Sequence, residues 1–448
     1  MFPVEKIARI VEGELHLGGS DSPVRAIHDS RLVRQGDLFI ALPGQQSDGH
    51  LYLAEAFARG ACAAIVSDIK TLPSNARNLI VVDAPGLALQ ELASAWRDTL
   101  SSTVVAITGS NGKTTVKGLL GHMLTGYAST YVSPRNYNTE IGVPIALLSM
   151  PADARFGVFE LGAERSGDIA SLCRILKPQI AIITAVGPAH LDGFNSIDAV
   201  AAEKWSLVES LPTGGTAIVN GDSPHLLERA SAARIPVVTT GLNAGDIRGQ
   251  VVQSVPNLEV SLDTHNITLT CCLIGAHNAS NLLLAATAAH TLGMDWNSIA
   301  SQVGSFQAIP HRLQPIQVSF GTILDDTYNA NPASMAAALQ VLAAYGSTNS
   351  ARAFVFGDML GLGADADHYH REIARLASSL PIDTILPIGQ AATAACRAVD
   401  TSRLVVLPRE NIVRHLTTGE LGPEAVVLIK GSRALELENL VEELRLDR

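Results

Sequence analysis

The sequence predicts an α/β protein of three domains, and three observations lead to that prediction. The chain has 448 residues, more than a single hydrophobic core usually supports, so two or three domains are expected. Hydrophobic residues make up 47% and charged residues 17% of the chain, as in ordinary globular proteins. Apolar strand patterns alternate with helical patterns along most of its length. We predict domains at 1–83, 84–313 and 314–448.

The first block is predicted to be a mixed α/β domain. Short apolar strands are predicted at 37–42, 63–66 and 79–82, and an alanine-rich helix at 53–59. The turn Asp-Ala-Pro-Gly that follows is typical of a linker.

The central block is predicted to contain a parallel sheet flanked by helices. The apolar segments 104–108, 156–161 and 180–186 alternate with helical patterns, which is typical of parallel strands. Segment 250–274 alternates like antiparallel hairpins and is followed by a helix near Asn278. We therefore expect a small antiparallel sheet appended to this domain.

The C-terminal block is predicted to be a Rossmann-like domain. Strands predicted at 354–357, 384–389, 404–408 and 426–432 alternate with helices, as in a doubly wound fold. Two adjoining α/β domains leave a cleft, and such clefts commonly bind ligands.

Composition argues against several classes of protein. A formal charge of -11 and the lack of a Lys/Arg-rich run disfavour nucleic-acid binding. Glu5, Glu12 and Glu14 interrupt the apolar stretch that a signal peptide would need, and no segment is apolar enough to span a membrane. We expect a cytoplasmic protein. Five cysteines without a CxxC spacing disfavour a zinc site or a disulfide framework.

The strongest local motif is TGSNGKTT, which lies between an apolar strand and a helical pattern. Its glycines let the backbone wrap phosphate oxygens, the lysine adds a positive charge, and the first threonine offers a hydroxyl to Mg²⁺. Ile107 stands where a strict Walker A motif has glycine. The alternative is an ordinary glycine turn before a helix. The predicted phosphate-binding residues are Gly109, Ser110, Asn111, Gly112, Lys113, Thr114 and Thr115.

Two residues are candidate metal ligands because they follow strands of the same predicted sheet. Glu160 ends the strand 156–161, and His190 lies in the loop after the strand 180–186. Carboxyl ends of parallel strands meet at one edge, which also carries the phosphate loop. Without that context, a strand-end glutamate or a loop histidine would be an ordinary solvated residue.

Lys204 lies on an apolar helical face with Val200, Ala201, Leu207 and Val208. A lysine there either extends its ammonium to water over apolar surface or has a lowered pKa. Only the neutral amine reacts with CO₂ to form a carbamate. Periodicity alone favours the first alternative.

These residues resemble the Mur ligase family over nearly the whole chain. The resemblance implies ATP and Mg²⁺ as cofactors, with Thr114, Glu160 and His190 as metal ligands. It also implies a carbamylated Lys204, and so reverses the preference drawn from periodicity. Lys113, Lys204, His190 and Arg312 are then the expected catalytic residues.

Further motifs extend the resemblance along the chain. GAHNASN and RNYNTEIGVP imply nucleotide contacts through Asn278 and Asn138. HRLQ implies that Arg312 reaches the γ-phosphate, and DDTYNANPASM implies that Asp326 binds the ribose. Without the family, Arg312 would be a surface charge and NANP a turn.

The N-terminal pattern HDSRLVRQGDLFIALPGQQSDGH resembles a UDP-binding domain that folylpolyglutamate synthetases lack. It implies uridine or diphosphate contacts by Asp29, Ser30 and Arg31, although a plain turn would show the same residues.

Three further blocks resemble the family members that add D-alanyl-D-alanine: DDTYNANPASMAAAL, FGDMLGLGADADHYH and LIKGSRALELENLVEEL. The resemblance implies an ADP-forming ligase of peptidoglycan synthesis that joins D-alanyl-D-alanine to UDP-N-acetylmuramoyl-tripeptide through an acyl phosphate. Asn329 and Asn331 are expected near the substrate cleft, and we expect a monomer. The alternatives are a diaminopimelate-adding relative, whose DNPR block is missing from this sequence, a phosphate-loop NTPase without an amine acceptor, and a noncatalytic nucleotide-binding scaffold.

Overall fold

The computed structural model describes residues 1–19, 21–44, 47–69, 73–187, 193, 194, 196–263, 265–399, 402–418, 421, 422 and 424–446. These residues form three sheets that follow one another along the chain. No helix among them is both long and apolar enough to cross a membrane.

The first sheet has the strand order β1-β5-β4-β3-β2. Its edge pair β1/β5 is antiparallel and the remaining pairs are parallel, so the predicted mixed α/β domain is confirmed. Its elements are α1 (Val4–Ile10), β1 (Glu14–His16), β2 (Ala26–Ile27), β3 (Leu38–Ile40), α2 (Leu53–Ala58), β4 (Ala63–Val66) and β5 (Leu79–Val81).

The second sheet has the order β14-β13-β12-β11-β10-β9-β6-β8-β7. Its helices are α3 (Pro85–Arg97), α4 (Lys113–Thr125), α5 (Gly142–Leu148), α6 (Asp168–Leu176), α7 (Ile197–Glu209), α8 (Pro224–Ser231), α9 (His277–Thr291) and α10 (Trp296–Gly304). Its strands are β6 (Thr103–Thr108), β7 (Thr130–Val132), β8 (Phe156–Glu160), β9 (Ile180–Ile183), β10 (Thr216–Asn220), β11 (Val237–Gly241), β12 (Ile247–Gln253), β13 (Leu258–Leu262) and β14 (Ile267–Cys271).

The predicted antiparallel strands extend this sheet at its edge. β11 and β12 pair in parallel, and β12, β13 and β14 then pair antiparallel. Alternate residues of β6 point to opposite faces of the sheet, because side chains on a strand alternate in direction. Val104 and Ala106 pack with α3, α5, α6 and α7, whereas Val105 and Ile107 pack with α4, α9 and α10.

The third sheet has the order β15-β16-β19-β17-β18 and is parallel except for the pair β15/β16. α11, α12 and α13 pack on one face and α14 and α15 on the other. Its elements are β15 (Gln314–Val318), β16 (Gly321–Asp326), α11 (Pro332–Ala344), β17 (Arg352–Gly357), α12 (Ala366–Ser379), β18 (Thr384–Ile388), α13 (Gln390–Val399), α14 (Arg409–Thr417), β19 (Ala425–Lys430) and α15 (Glu438–Leu446).

The prediction of a strand at 404–408 is wrong. Leu404 makes an isolated bridge to Ile385 at the edge of β18, and no named strand covers residues 404–408. Val406 is exposed and Pro408 precedes α14. Because proline has no N–H to donate, the segment does not continue as a ladder.

Candidate active site

The phosphate loop joins the end of β6 to the start of α4, as the motif predicts. Gly109 and Gly112 have φ angles of 150° and 83°, which side chains rarely allow. A Cβ on Gly109 would lie 1.9 Å from Thr184 Oγ1, and a Cβ on Gly112 would lie 2.1 Å from Asn281 Oδ1. Both glycines are therefore required by conformation and by space.

The loop leaves N–H groups free at the start of α4. Within the described chain, no hydrogen bond is formed by the backbone N–H groups of residues 111–115, whereas Val116 N–H already donates to Gly112 O. Lys113 Nζ folds back to donate to Gly109 O at 2.7 Å. Free N–H groups at a helix start bind anions, so this turn fits a phosphate group.

Glu160 lies beside the phosphate loop because β6 and β8 are parallel neighbours. Ile107 and Glu160 are register partners, and the carboxylate is almost completely buried. Glu160 accepts hydrogen bonds from Thr114 Oγ1 at 3.0 Å and from Asn138 Nδ2 at 3.1 Å. Burial would raise the pKa of Glu160, but Lys113, Lys117 and the Asn138 hydrogen bond lower it, so the carboxylate is ionised.

Arg312 reaches into this site from the segment before β15. Its Nη2 donates to Thr114 Oγ1 at 3.2 Å, and its guanidinium lies 3.9 Å from the centre of the Tyr328 ring. The buried Nε has no hydrogen-bond partner in the described part of the chain. Lys113, Lys117 and Arg312 outnumber the negative charge of Glu160. The local excess of positive charge fits a polyphosphate.

The edge of the third sheet faces the phosphate loop. Asp326 and Lys430 end the neighbouring strands β16 and β19 and form a buried ion pair of 2.6 Å. Lys430 Nζ also donates to Asn329 O at 2.9 Å. Asn331 Nδ2 donates to Asn111 Oδ1 at 2.7 Å, which connects the start of α11 to the phosphate loop. The carboxyl edges of two parallel sheets thus enclose one cavity.

Lys204 lies on α7 and lines the same cavity. It is only 3% exposed, so the interpretation that its ammonium extends into bulk water is wrong. Desolvation by burial, together with repulsion from Lys113, lowers the pKa of Lys204 to about 7. At neutral pH about half of such amines are uncharged, and this is the form that reacts with CO₂.

The cavity has a volume of about 1270 Å³ and brings together most of the predicted site residues. Its lining includes Gly109, Ser110, Asn111, Gly112, Lys113, Thr114, Thr115, Asn138, Glu160, Lys204, Asn278, Arg312, Asp326, Asn329 and Asn331. His190 lies outside the described residues. The buried Asn278 donates to Ile274 O at 2.8 Å and accepts from Asn281 Nδ2 at 2.9 Å.

The structure does not bring Asp29, Ser30 and Arg31 to this cavity. They form a short turn in the first domain, where the Asp29 carboxylate accepts from Arg31 Nη2 at 2.7 Å. Ser30 Oγ donates to Glu55 Oε2 at 2.7 Å. These three residues therefore lie on a surface separate from the cavity.

Two buried lysines of the site were missed by the sequence analysis. Lys117 faces Glu160, and Lys430 pairs with Asp326. Lys117 lies four residues after Lys113 on α4, so the helical spacing could have indicated it. Lys430 ends a predicted apolar strand, and its buried partner could not be identified before the two strands were known to be neighbours.

Thr114 and Glu160 fit part of a Mg²⁺ site. Their oxygens lie 3.0 Å apart at the mouth of the phosphate loop, and oxygen is the ligand that Mg²⁺ prefers. In the part of the chain that is described, no cluster of three or more His, Cys, Asp or Glu residues is placed to hold a metal. An ion bound through one or two protein oxygens plus phosphates and waters is the usual arrangement for Mg²⁺.

Three family models match consecutive parts of the chain. The model for the Mur ligase family, catalytic domain, matches residues 27–97. The Mur ligase middle domain matches residues 107–289, and the Mur ligase, glutamate ligase domain, matches residues 311–433.

Similar proteins cover nearly the whole chain. The UDP-N-acetylmuramoyl-tripeptide–D-alanyl-D-alanine ligase of Escherichia coli (strain K12) is 33% identical over 450 residues, covering 99% of this chain and 98% of the relative. A crystal structure of MurF from Acinetobacter baumannii superposes with a TM-score of 0.88 at 29% identity, covering 100% of this chain and 99% of that one. MurF ligase from Thermotoga maritima in complex with ADP gives a TM-score of 0.82 at 26% identity, covering 94% and 97% of the two chains.

Proposed function

Because this chain belongs to the Mur ligase family, we propose that it is an ATP-dependent ligase that joins D-alanyl-D-alanine to UDP-N-acetylmuramoyl-tripeptide. ATP is converted to ADP and phosphate, and the product serves peptidoglycan synthesis in the cytoplasm. The observation that carries the proposal is the cavity in which Arg312, in the segment just before β15, reaches Thr114 of the phosphate loop. We propose domain boundaries at residues 83/84 and 313/314.

ATP occupies this cavity with its phosphates on the turn 109–115. The free N–H groups at the start of α4 bind phosphate oxygens, and Lys113 exchanges its contact with Gly109 O for a phosphate. Asn138 and Asn278 contact the base side of the nucleotide, and Asp326 binds the ribose. The Asp326 carboxylate is held in place for this by Lys430.

The first chemical step forms a mixed anhydride. A terminal carboxylate oxygen of the tripeptide attacks the γ-phosphorus, and the bond to the bridging oxygen breaks to release ADP. Negative charge spreads over the transferring phosphoryl group, where fixed cations stabilise it best. Lys113 and Arg312 supply these cations, and Arg312 is held over the Tyr328 ring for this purpose.

Thr114, Glu160 and His190 would hold Mg²⁺, together with a carbamate on Lys204. When bound there, Mg²⁺ would neutralise the negative charge that develops on the phosphates. The carbamate forms when the neutral Lys204 nitrogen bonds to the carbon of CO₂ and loses one proton. It converts a buried cation into an anion.

The second step forms the amide bond. The amine of D-alanyl-D-alanine attacks the acyl carbon, and the tetrahedral intermediate expels phosphate together with the former carboxylate oxygen. The attacking nitrogen loses one proton. Asn329 and Asn331 lie beside the phosphate loop and contact the reacting groups. Asp29, Ser30 and Arg31 bind the UDP portion at a distance from the chemistry.

The test is a set of phosphate-release assays with ATP and Mg²⁺ in which each acceptor is omitted in turn. The proposal predicts release only when UDP-N-acetylmuramoyl-tripeptide and D-alanyl-D-alanine are both present, with a product heavier by the dipeptide minus water. Release from ATP alone would instead support a phosphate-loop NTPase. Release that instead requires the UDP-linked dipeptide and free diaminopimelate, supplied in place of these two substrates, would support the third-step ligase.

A further inference from the structure

Lys117 is a buried cation that touches the active-site residues without lining the cavity. It lies on α4 four residues after Lys113 and is 5% exposed. The cavity lining includes Lys113 but not Lys117. Any effect of Lys117 on a ligand in the cavity must therefore pass through its neighbours.

The Lys117 ammonium has two partners in different segments. Its Nζ donates to Arg135 O at 2.6 Å, and it lies 3.5 Å from Glu160 Oε2. Burial lowers the pKa of Lys117, whereas the adjacent Glu160 raises it. A buried ammonium that touches a carboxylate and a carbonyl orders both acceptors.

The first partner belongs to the loop that carries Asn138. Arg135 has a φ angle of 47°, a left-handed conformation that is unfavourable for a non-glycine residue. The Arg135 side chain is exposed, but its carbonyl is bound by Lys117. The bond therefore stabilises a strained turn three residues before Asn138.

The second partner is the carboxylate that Asn138 also contacts. Glu160 Oε1 accepts from Asn138 Nδ2, and Glu160 Oε2 accepts from Thr114 Oγ1 and faces Lys117. Asn138 therefore links the loop at 135–138 to Glu160, and Lys117 contacts both the loop and Glu160. Moving the ammonium would displace the loop and rotate the carboxylate.

We propose that Lys117 is a positioning residue that couples the Asn138 loop to the Glu160 carboxylate, so that nucleotide and metal bind together. This role rests on the proposed function, because it assumes that Glu160 and Asn138 serve a metal-bound nucleotide. In this role Lys117 does not contact a ligand directly.

Two substitutions separate the contacts of Lys117. Lys117→Met keeps most of the length of the side chain but removes both contacts. Lys117→Gln keeps an N–H group directed at Arg135 O, one atom short of the lysine nitrogen, and removes the charge that faces Glu160. Lys6→Met, in the exposed part of α1, is the matched control.

The experiment is calorimetric titration of the full chain with ADP, without and with Mg²⁺. For Lys117→Met we expect the affinity for ADP with Mg²⁺ to fall at least tenfold. For Lys117→Gln we expect the affinity for ADP alone to stay within twofold of the unsubstituted chain, while the gain on adding Mg²⁺ is lost. Lys6→Met should match the unsubstituted chain in both titrations.

Affinities of Lys117→Met within twofold of the unsubstituted chain in both titrations would overturn the proposal. A parallel loss of affinity for UDP-N-acetylmuramoyl-tripeptide, with a lower Tm for both variants, would also overturn it, because that is a general loss of structure. The titrations do not require an amine acceptor. Phosphate release from ATP alone by the unsubstituted chain would refute the proposed ligase. The calorimetric titrations test only the role of Lys117, so the two failures are distinguishable.

Discussion

At the scale of single residues, Lys204 differs from Lys113 and Lys430 in having no partner among the described residues. Lys113 donates to Gly109 O, and Lys430 pairs with Asp326. Lys204 has no hydrogen bond or ion pair to any residue that the structure describes. The neighbouring Glu203 carboxylate instead accepts from backbone N–H groups at the start of α6. A buried amine without a partner loses its proton more readily than an exposed one, because burial disfavours the charged form and so lowers the pKa.

Lys204 is therefore expected to form its carbamate increasingly as pH rises through about 7. The pKa is lowered, so the reactive neutral amine is the minor form below that pH and the major form above it. At a fixed concentration of dissolved ¹³CO₂, a ¹³C NMR carbamate signal should grow from pH 6 to pH 8 and be missing in Lys204→Met. An equal signal in that variant would refute the assignment.

Arg312 gives a second prediction at this scale. Lysine has neither the planar group that stacks on Tyr328 nor a second nitrogen for phosphate, so Arg312→Lys should lower kcat about a hundredfold, a loss of about 3 kcal/mol. Arg433→Lys is the matched control, because Arg433 lies 5.9 Å from the same ring but pairs with Glu438. Steady-state kinetics should show the control within threefold of the unsubstituted chain. Equal losses in the two variants would contradict the role of Arg312.

At the scale of elements, the phosphate loop depends on the close approach of two strand ends. Ser110 N–H donates to Ala185 O at 2.8 Å, and Thr184 follows β9 beside Gly109. The loop is therefore shaped by the strand next to β6 as well as by its own glycines.

Gly109→Ala should weaken nucleotide binding through a steric overlap in addition to backbone strain. Its Cβ would overlap Thr184 Oγ1, so the loop must move away from β9. Gly214→Ala is the control, because Gly214 also has a positive φ of 87° but no atom within 4 Å of its Cβ position. By calorimetry, ADP affinity should fall at least tenfold for Gly109→Ala and stay within twofold for Gly214→Ala. Comparable affinities would show that contact with Thr184 is unimportant.

The sequence was sufficient to predict the elements that strong periodicity and turns define. The strand predicted at 63–66 matches β4, and the helix predicted near Asn278 is α9. The strand predicted at 404–408 failed because apolar composition does not reveal an edge position or the effect of Pro408. The predicted antiparallel strands formed, but their pairing with β11 is a tertiary contact that periodicity does not contain.

The candidate site was predictable where a motif fixed the backbone. The glycines at 109 and 112 indicated a turn between strand and helix. The position of Glu160 beside that turn followed from the parallel pairing of β6 and β8 alone. The pairs Lys117–Glu160 and Lys430–Asp326 could not be predicted, because each joins residues far apart in sequence whose approach depends on packing.

At the scale of the whole molecule, function depends on how the second and third domains meet. The carboxyl edges of their sheets face one another. Asn331 of the third domain donates to Asn111, and Arg312, in the segment that leads into the third domain, donates to Thr114. Both bonds end on the phosphate loop. Nucleotide binding and the relative position of the domains should therefore be coupled.

Asn331→Ser tests this coupling. Serine still caps α11 but is too short to donate to Asn111, so KM for ATP should rise about fivefold, as expected for the loss of about 1 kcal/mol. Ser334→Ala is the control, because it removes the other half of the capping box and leaves the bond to Asn111. It should lower Tm with little change in KM. Unchanged KM in Asn331→Ser would show that the bond is dispensable.

The most direct test of the proposed reaction follows oxygen from the tripeptide carboxylate. UDP-N-acetylmuramoyl-tripeptide labelled with ¹⁸O in its terminal carboxylate would be converted with ATP and D-alanyl-D-alanine, and the released phosphate would be measured by mass spectrometry. An acyl phosphate predicts one ¹⁸O atom in each phosphate from fully labelled substrate, because the attacking oxygen leaves with phosphorus. Phosphate without ¹⁸O would contradict the proposed activation of the carboxylate.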